Sequence, residues 1–332
     1  MSGLSNLRVT LAGAGALGLA TAWTLAEAGA RVTVIDPARV ADNASGVAAG
    51  MLAPAFEAVL DPASADHFDL LMAARNAWQG FAAGLAARGA ALDRSGAMWT
   101  GDEVSLEDVD TRLRAIGAEA RRLTRAEAMA LSPGLAAPAG AVFTPDDWRL
   151  DAPGMLGALH DAFLARGGAW RNASLVAAEA GQARLSDGGI IPADVVIIAT
   201  GLAPAGLQDA PPELACLQPI KGQIVRLLGA APASGPVVRA SGVYVAPSAA
   251  GALVGATMEA GVDDRRVDPG VVARLQGLAA SLFPAMAGAP AVGGGGRAGG
   301  DARRPAAGRS RAAGRALCWR WARAAMAGCW RR

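Results

Sequence analysis

Three glycines, Gly13, Gly15 and Gly18, follow the apolar run RVTLA at residues 8–12, and an acid, Asp36, closes a second apolar run eighteen residues past Gly18. Residues of these types at this spacing can hold a diphosphate and a ribose. Gly13 permits a tight turn, Gly15 lets a diphosphate approach the main chain, and Gly18 lets the next helix pack close to the strand. The N–H groups at a helix start favour negative charge, and an acid at the end of the second strand accepts hydrogen bonds from ribose hydroxyls. Ala16 and Leu17 lie between the last two glycines and belong to the same turn. The glycine pattern alone is common. Its setting makes it a dinucleotide site: a β-branched strand before it, a helical stretch over residues 19–28 after it, Gly29 as a stop, and a second strand over residues 31–35.

Residues 37–50 then form a loop of small side chains, which reads ASGVAAG over residues 44–50 and runs straight into MLAP at residues 51–54. Ser45, Ala49, Gly50 and Met51 are candidates for a main chain lying against a flat ring system. A nicotinamide-type fold usually continues from its second strand into another βα unit, and a flexible linker would not carry an apolar MLAP directly after its glycine. On these residues the chain resembles the D-amino-acid oxidase superfamily, and within it the glycine oxidase branch linked to thiamine synthesis.

Further segments carry the same resemblance, over about residues 7–290. PDDWRLDAP at 145–153 resembles the family's acid-containing segment before a helix, here 154–166. Residues 168–177 resemble the strand that supplies the adenine pocket, with Leu175 or Val176 as the contact. ADVVIIATG at 193–201 reads as a parallel strand covered on both faces, ending in the turn at Gly201. QPIKGQIVRL at 218–227 and GVYVAPSAAGALVGAT at 242–257 resemble paired strands of the family's substrate domain.

The resemblance implies an α/β fold: a Rossmann-like, doubly wound parallel sheet holding non-covalent FAD, plus a smaller antiparallel sheet forming an α+β substrate domain. The expected division assigns residues 1–85 and 145–210 to the cofactor domain and 86–144 and 211–290 to the substrate domain. It also implies oxidation of glycine or another small amino acid or amine. A neutral amine gives up its α-hydrogen as hydride, the imine hydrolyses to an oxo acid and ammonia, and molecular oxygen becomes peroxide. Tyr244, the chain's one tyrosine, falls where the family places an active-site tyrosine, although a strand aromatic is also simply a packing residue. Met51 and Met258 are pocket or core residues, and Lys221 reads as structural. Sarcosine- or proline-type enzymes usually attach flavin through Cys or His, and the loop holds neither. An NAD-dependent dehydrogenase, a non-catalytic flavin-fold protein and a nucleic-acid binder are the remaining alternatives.

Composition narrows the classes. A chain of 332 residues, 52% hydrophobic and 18% charged, is globular and long enough for two cores. No apolar run reaches membrane-spanning length, and the N-terminus enters the first strand without a leader, so the expected location is cytoplasmic, with no membrane partner. Cys216, Cys318 and Cys329 form no disulfide or zinc pattern. His67 and His160 read as surface or boundary residues, and no metal is expected. Homo-oligomerisation stays open.

From Gly293 the composition changes: residues 293–332 contain ten Arg, three Trp and one acid, Asp301, for a net charge of +9. A basic, Trp-bearing tail could be a nucleic-acid arm. Translation out of frame accounts for it better. Triplets straddling the codons of residues 297–310 are compatible with GRAATPDGLPLVG. A different shift over residues 317–332 is compatible with VLALGARGNGWLLAP. Both strings resemble the family's closing motifs, in order, and no nucleic-acid partner is expected. The first motif normally brings the arginine that binds the substrate carboxylate, and Arg297 lies near that position.

Overall fold

The computed structural model describes residues 4–301, apart from Ala63, Ala205, Ala210, Glu213, Ala215, Cys216 and residues 230–233. The tail beyond Asp301, with Cys318, Cys329 and its three tryptophans, lies outside the described residues, as does Cys216.

The first strand, Arg8–Ala12, is buried at four of its five positions and is central to a four-stranded parallel sheet. The order is Val195–Ile198, Arg8–Ala12, Arg31–Ile35, Ala169–Arg171. The chain leaves the first strand toward one side and returns on the other. The carboxyl ends of Arg8–Ala12 and Val195–Ile198 therefore flank a topological switch point, where open α/β sheets bind their ligands. Val195–Ile198 contributes side chains to both faces, but as an edge strand it leaves Val195 40% exposed, so its burial is partial.

The helices Ala16–Glu27 and Ala152–Ala165 cover one face of this sheet, through Leu19, Trp23, Leu156 and Phe163. The other face is covered by a three-stranded antiparallel sheet of Leu175–Glu179, Gln182–Leu185 and Ile190–Pro192, packed on Ala12 and Ile35. The cause is a break in the strand expected over 168–177. Ala173 N–H turns back to Arg171 O at 3.0 Å, so Ala169–Arg171 joins the parallel sheet while Leu175–Glu179 leaves it.

The second sheet is mixed and has nine strands, so it is the larger of the two, the reverse of the expectation. Its order runs Glu259–Ala260, Leu217–Leu228, Gly251–Gly255, Val243–Ser248, Val237–Ala240, Ala97–Thr100, Ala141–Thr144, Arg121–Leu123. Helix Pro269–Leu282 covers one face. The other face meets helices Pro54–Leu60 and Glu103–Ala115 through Ala97, Val237, Tyr244 and Ala246. The ninth strand, Ala291–Asp301, pairs with Leu217–Leu228. Its glycines suit close approaches: a Cβ on Gly295 would lie 2.5 Å from Arg265 O. The segment set apart by composition thus begins inside the sheet. A small sheet of Met51–Leu52, Trp148–Leu150 and Leu92–Asp93 completes the frame.

Candidate active site

The glycine-rich turn has the shape that its residues demand. Gly13 sits at φ +102° and donates its N–H to Ile35 O at 2.9 Å; a Cβ there would lie 2.5 Å from Ala199 O. A Cβ on Gly18 would lie 1.9 Å from Gly13 O, so that glycine sets the helix-to-strand approach. Gly15 caps helix Ala16–Glu27 without a side chain, and the first turn, with Ala16 and Leu17, carries no acid. This leaves a helix start open to an anion, and the cradle fits a diphosphate.

Asp36 accepts the N–H of Ala14 at 2.7 Å and of Ala38 at 2.8 Å. Each carboxylate oxygen keeps a further lone pair, so Asp36 can close the turn and still receive a hydroxyl. Ser45 Oγ accepts the Ala16 N–H at 3.0 Å, which brings the small-residue loop onto the helix start. Asn43 locks that arrangement. Its Nδ2 donates to Ala14 O at 3.1 Å, and its Oδ1 accepts the Gly46 N–H at 3.0 Å, capping the short helix Ala44–Val47. The sequence reading passed over Asn43, although an Asn immediately before a helical stretch is a capping signal.

The loop then runs past the buried Ala49 to Gly50, at φ +72°, whose carbonyl accepts the Leu150 N–H at 2.9 Å. Met51 pairs with Arg149 across the small sheet. The helix Pro54–Leu60 follows, and its first free amides, on Ala55 and Phe56, donate to Asp147 at 2.8 and 3.2 Å. Asp147 is buried, and burial pushes its carboxyl up to about 7 against the pull of Arg239 and the two amides; Glu57 adds to the rise.

Tyr244 stands across from Arg239 on one side and from Gly255 on the other, with its hydroxyl over the Gly255 Cα. Burial pushes the phenol up to about 12; Arg239 and Arg226 oppose the shift and Glu57 adds to it. The group is a neutral hydrogen-bond donor at any ordinary pH. Arg239 is itself 7% exposed: its Nη2 lies 3.2 Å from Glu57 Oε1 and 3.4 Å from Met51 Sδ, and its guanidinium stands 5.4 Å from the centre of the Phe56 ring. Sequence reasoning singled out neither Arg239 nor Glu57, and only the segment around Asp147. No local pattern marks a residue whose partners lie on another sheet.

The other expected residues fall as follows. Leu175 is packed in the core, while Val176 is half-buried and its carbonyl accepts the Gln208 N–H at 2.8 Å. Gly201 is exposed at φ +75°, just past the end of Val195–Ile198. Lys221 is buried against Asp264 at 2.7 Å, in keeping with a structural role. Met258 is 81% exposed, and Arg297 pairs with Asp263. A cavity of about 490 Å³ opens beside Arg149 and Arg226; neither the glycine turn nor Tyr244 lines it, but Arg149 and Leu150 in its wall pair with Met51 and Gly50. Among the described residues no cluster of His, Cys, Asp and Glu could hold a metal. No helix among them is long and apolar enough to cross a membrane.

Comparison with known families decides the class. The model of the FAD dependent oxidoreductase family, DAO, matches residues 8–328. The chain belongs to this family. A curated relative, a glycine oxidase of Geobacillus kaustophilus (strain HTA426), is 29% identical over 302 residues, which is 83% of this chain and 76% of the relative. The crystal structure of glycine oxidase from Geobacillus kaustophilus superposes with a TM-score of 0.75 at 28% identity, covering 90% of this chain and 84% of that one. An iminodiacetate oxidase from Chelativorans sp. BNC1 gives 0.75 at 27% identity, with 89% and 84% covered. This DAO-family chain is therefore an FAD-dependent oxidoreductase, and its parallel-plus-mixed sheet architecture is that of the glycine oxidase structures.

Proposed function

We propose that this protein oxidises a small primary or secondary amino acid or amine, glycine foremost, to an oxo acid, ammonia or amine, and hydrogen peroxide. Service to thiamine synthesis is part of the proposal. The observation that carries it is the meeting of two distant segments on one side chain. Met51, from the loop assigned to the flavin ring, and Tyr244, from the sheet assigned to substrate, both face Arg239. The glycine relatives and the iminodiacetate oxidase support the substrate class.

Bound FAD supplies the two-electron oxidation of the carbon–nitrogen bond. The chain's own residues do the rest. Gly13, Gly15, Ala16, Leu17 and Gly18 receive the diphosphate, Asp36 the ribose, Val176 the adenine edge, and Gly201 closes the turn beside them. Ser45, Ala49, Gly50 and Met51 lie along the ring. Tyr244, held neutral, donates a hydrogen bond to the substrate. Residues 1–85 and 145–210 act as the cofactor-binding body, and 86–144 and 211–290 as the substrate body; Leu92–Asp93 reaches across to Trp148–Leu150.

The second reading concerns the chain as written. Ten arginines and no Val, Ile, Phe or Tyr in residues 293–332 favour a frame error there, and a flavin-fold protein that lacks its closing segment. One experiment tests both readings. The gene is resequenced across codons 290–332, and the protein is purified as written and with any correction, then assayed for yellow FAD and for peroxide from glycine, sarcosine and iminodiacetate. Flavin with amine-dependent peroxide supports the proposal. A flavin-loaded protein that turns over none of the three overturns it, and a confirmed frame with no flavin leaves the non-catalytic reading.

A further inference from the structure

We propose that Asp147 is a positioning residue for the cofactor loop, acting as a helix cap supplied from a distant segment. The inference rests on the role given above to residues 45–54. Helix Pro54–Leu60 starts directly after Met51–Leu52 and has no cap of its own: Ala53 brings no side-chain oxygen, and Pro54 has no N–H. The first donors are the Ala55 and Phe56 amides, and both residues are fully buried. Their acceptors are the two oxygens of a single carboxyl group, that of Asp147, about ninety residues away in the chain. Buried N–H groups that lose an acceptor have no water to turn to, so the bond pair holds the helix start in one place.

The segment that supplies this cap is itself fixed. Asp146 Oδ2 accepts the Glu119 N–H at 2.9 Å, and Arg75 Nη1 donates to Asp146 O at 2.7 Å. Trp148 lies under two guanidiniums, Arg75 at 4.2 Å and Arg94 at 4.5 Å. Trp148 and Arg149 pair with Leu52 and Met51. The strand and the helix on either side of Ala53 are thus both gripped by residues 146–149. From the opposite side, Arg239 holds Met51 and Glu57 together. With the cap removed, the helix start is free to swing, and Met51 moves with it because only two residues separate them.

The test compares the full-length protein with D147N, which keeps the shape but turns an N–H toward an N–H, and with T124A as a control. Thr124 caps another helix, Arg125–Leu131, in an exposed capping box, and that helix packs into a different core cluster. Melting temperature is measured with and without saturating FAD, together with FAD affinity and amide exchange over residues 53–60 in the flavin-free protein. T124A should lower both melting temperatures alike and leave the FAD-dependent gain intact. D147N should shrink that gain, weaken FAD binding by about tenfold and speed exchange at Ala55 and Phe56. If D147N behaves as T124A does, with unchanged FAD affinity and protected amides, Asp147 is not a positioning residue. If the parent protein gains nothing from FAD, the proposed function falls and this inference with it; a parent gain unaltered in D147N removes the inference alone.

Discussion

Raising the pH from about 5 to about 8 should cost the folded protein roughly 2–3 kcal/mol at the single carboxyl of Asp147. The unfolded chain releases that proton near the ordinary value of 3.8, while burial pushes the folded group up to about 7. Below the lower value both states are protonated and the stability is fully present. Between the two values the unfolded state ionises while the folded state keeps its proton, so stability falls as pH rises. Above about 7 the loss levels off. The gap of about three units corresponds to some 4 kcal/mol in full, at about 1.4 kcal/mol per unit, and the interval from pH 5 to 8 covers a little over half of it. The assay is urea unfolding of the flavin-loaded protein at several pH values, for the parent and for D147N. The substitution lowers overall stability by removing a hydrogen bond, but only the slope with pH is compared, and titrating groups away from Asp147 cancel. The parent should lose about 2–3 kcal/mol more than D147N across the interval. Parallel slopes would refute the reasoning, because they would mean that the carboxyl ionises in the fold as easily as in the open chain.

Two further outcomes follow from the site. Gly18→Ala places a Cβ 1.9 Å from Gly13 O, where only main-chain movement relieves the overlap; the protein should then emerge from gel filtration without flavin, and flavin retained at the parent level would contradict the assigned turn. Tyr244→Phe should raise KM for the amino acid by roughly tenfold with a smaller change in kcat, and should leave the alkaline limb of the pH profile unmoved, since the phenol titrates only near 12; a displaced limb would show that Tyr244 ionises during turnover.

The elements were legible where a residue acts through the shape of its own backbone. Gly13 and Gly18 announce themselves because no other residue fits a positive φ or a helix crossing at that distance. The paired strands around Tyr244 were legible through the resemblance of residues 242–257 to the family's substrate domain. The strand expected over 168–177 was less so. Apolar continuity describes burial but not which sheet does the burying, and Asn172 to Ser174 break it into two strands in two sheets. Likewise, the relative size of the two sheets depends on pairings such as Ala97–Thr100 with Val237–Ala240, between segments about 140 residues apart. Nothing local encodes such a pairing.

The site divides along the same line. Residues that receive a ligand with their main chain form a compact motif, because the motif is the shape. Residues that hold that motif in place need only lie near it in space. Asp147 fixes the helix behind Met51 from the far side of a strand crossing, and Arg239 reaches the same methionine from another sheet. Each is an ionisable group taken almost wholly out of water, which is costly unless partners compensate it. Asp147 has two amides and the field of Arg239; Arg239 has Glu57 and the face of Phe56. Apolar side chains of similar volume would pack there as well or better, so burial alone does not account for these two groups. What the two groups add is direction: Asp147 holds the start of helix Pro54–Leu60 through two amides, and Arg239 reaches Met51 and Glu57 on either side of that start.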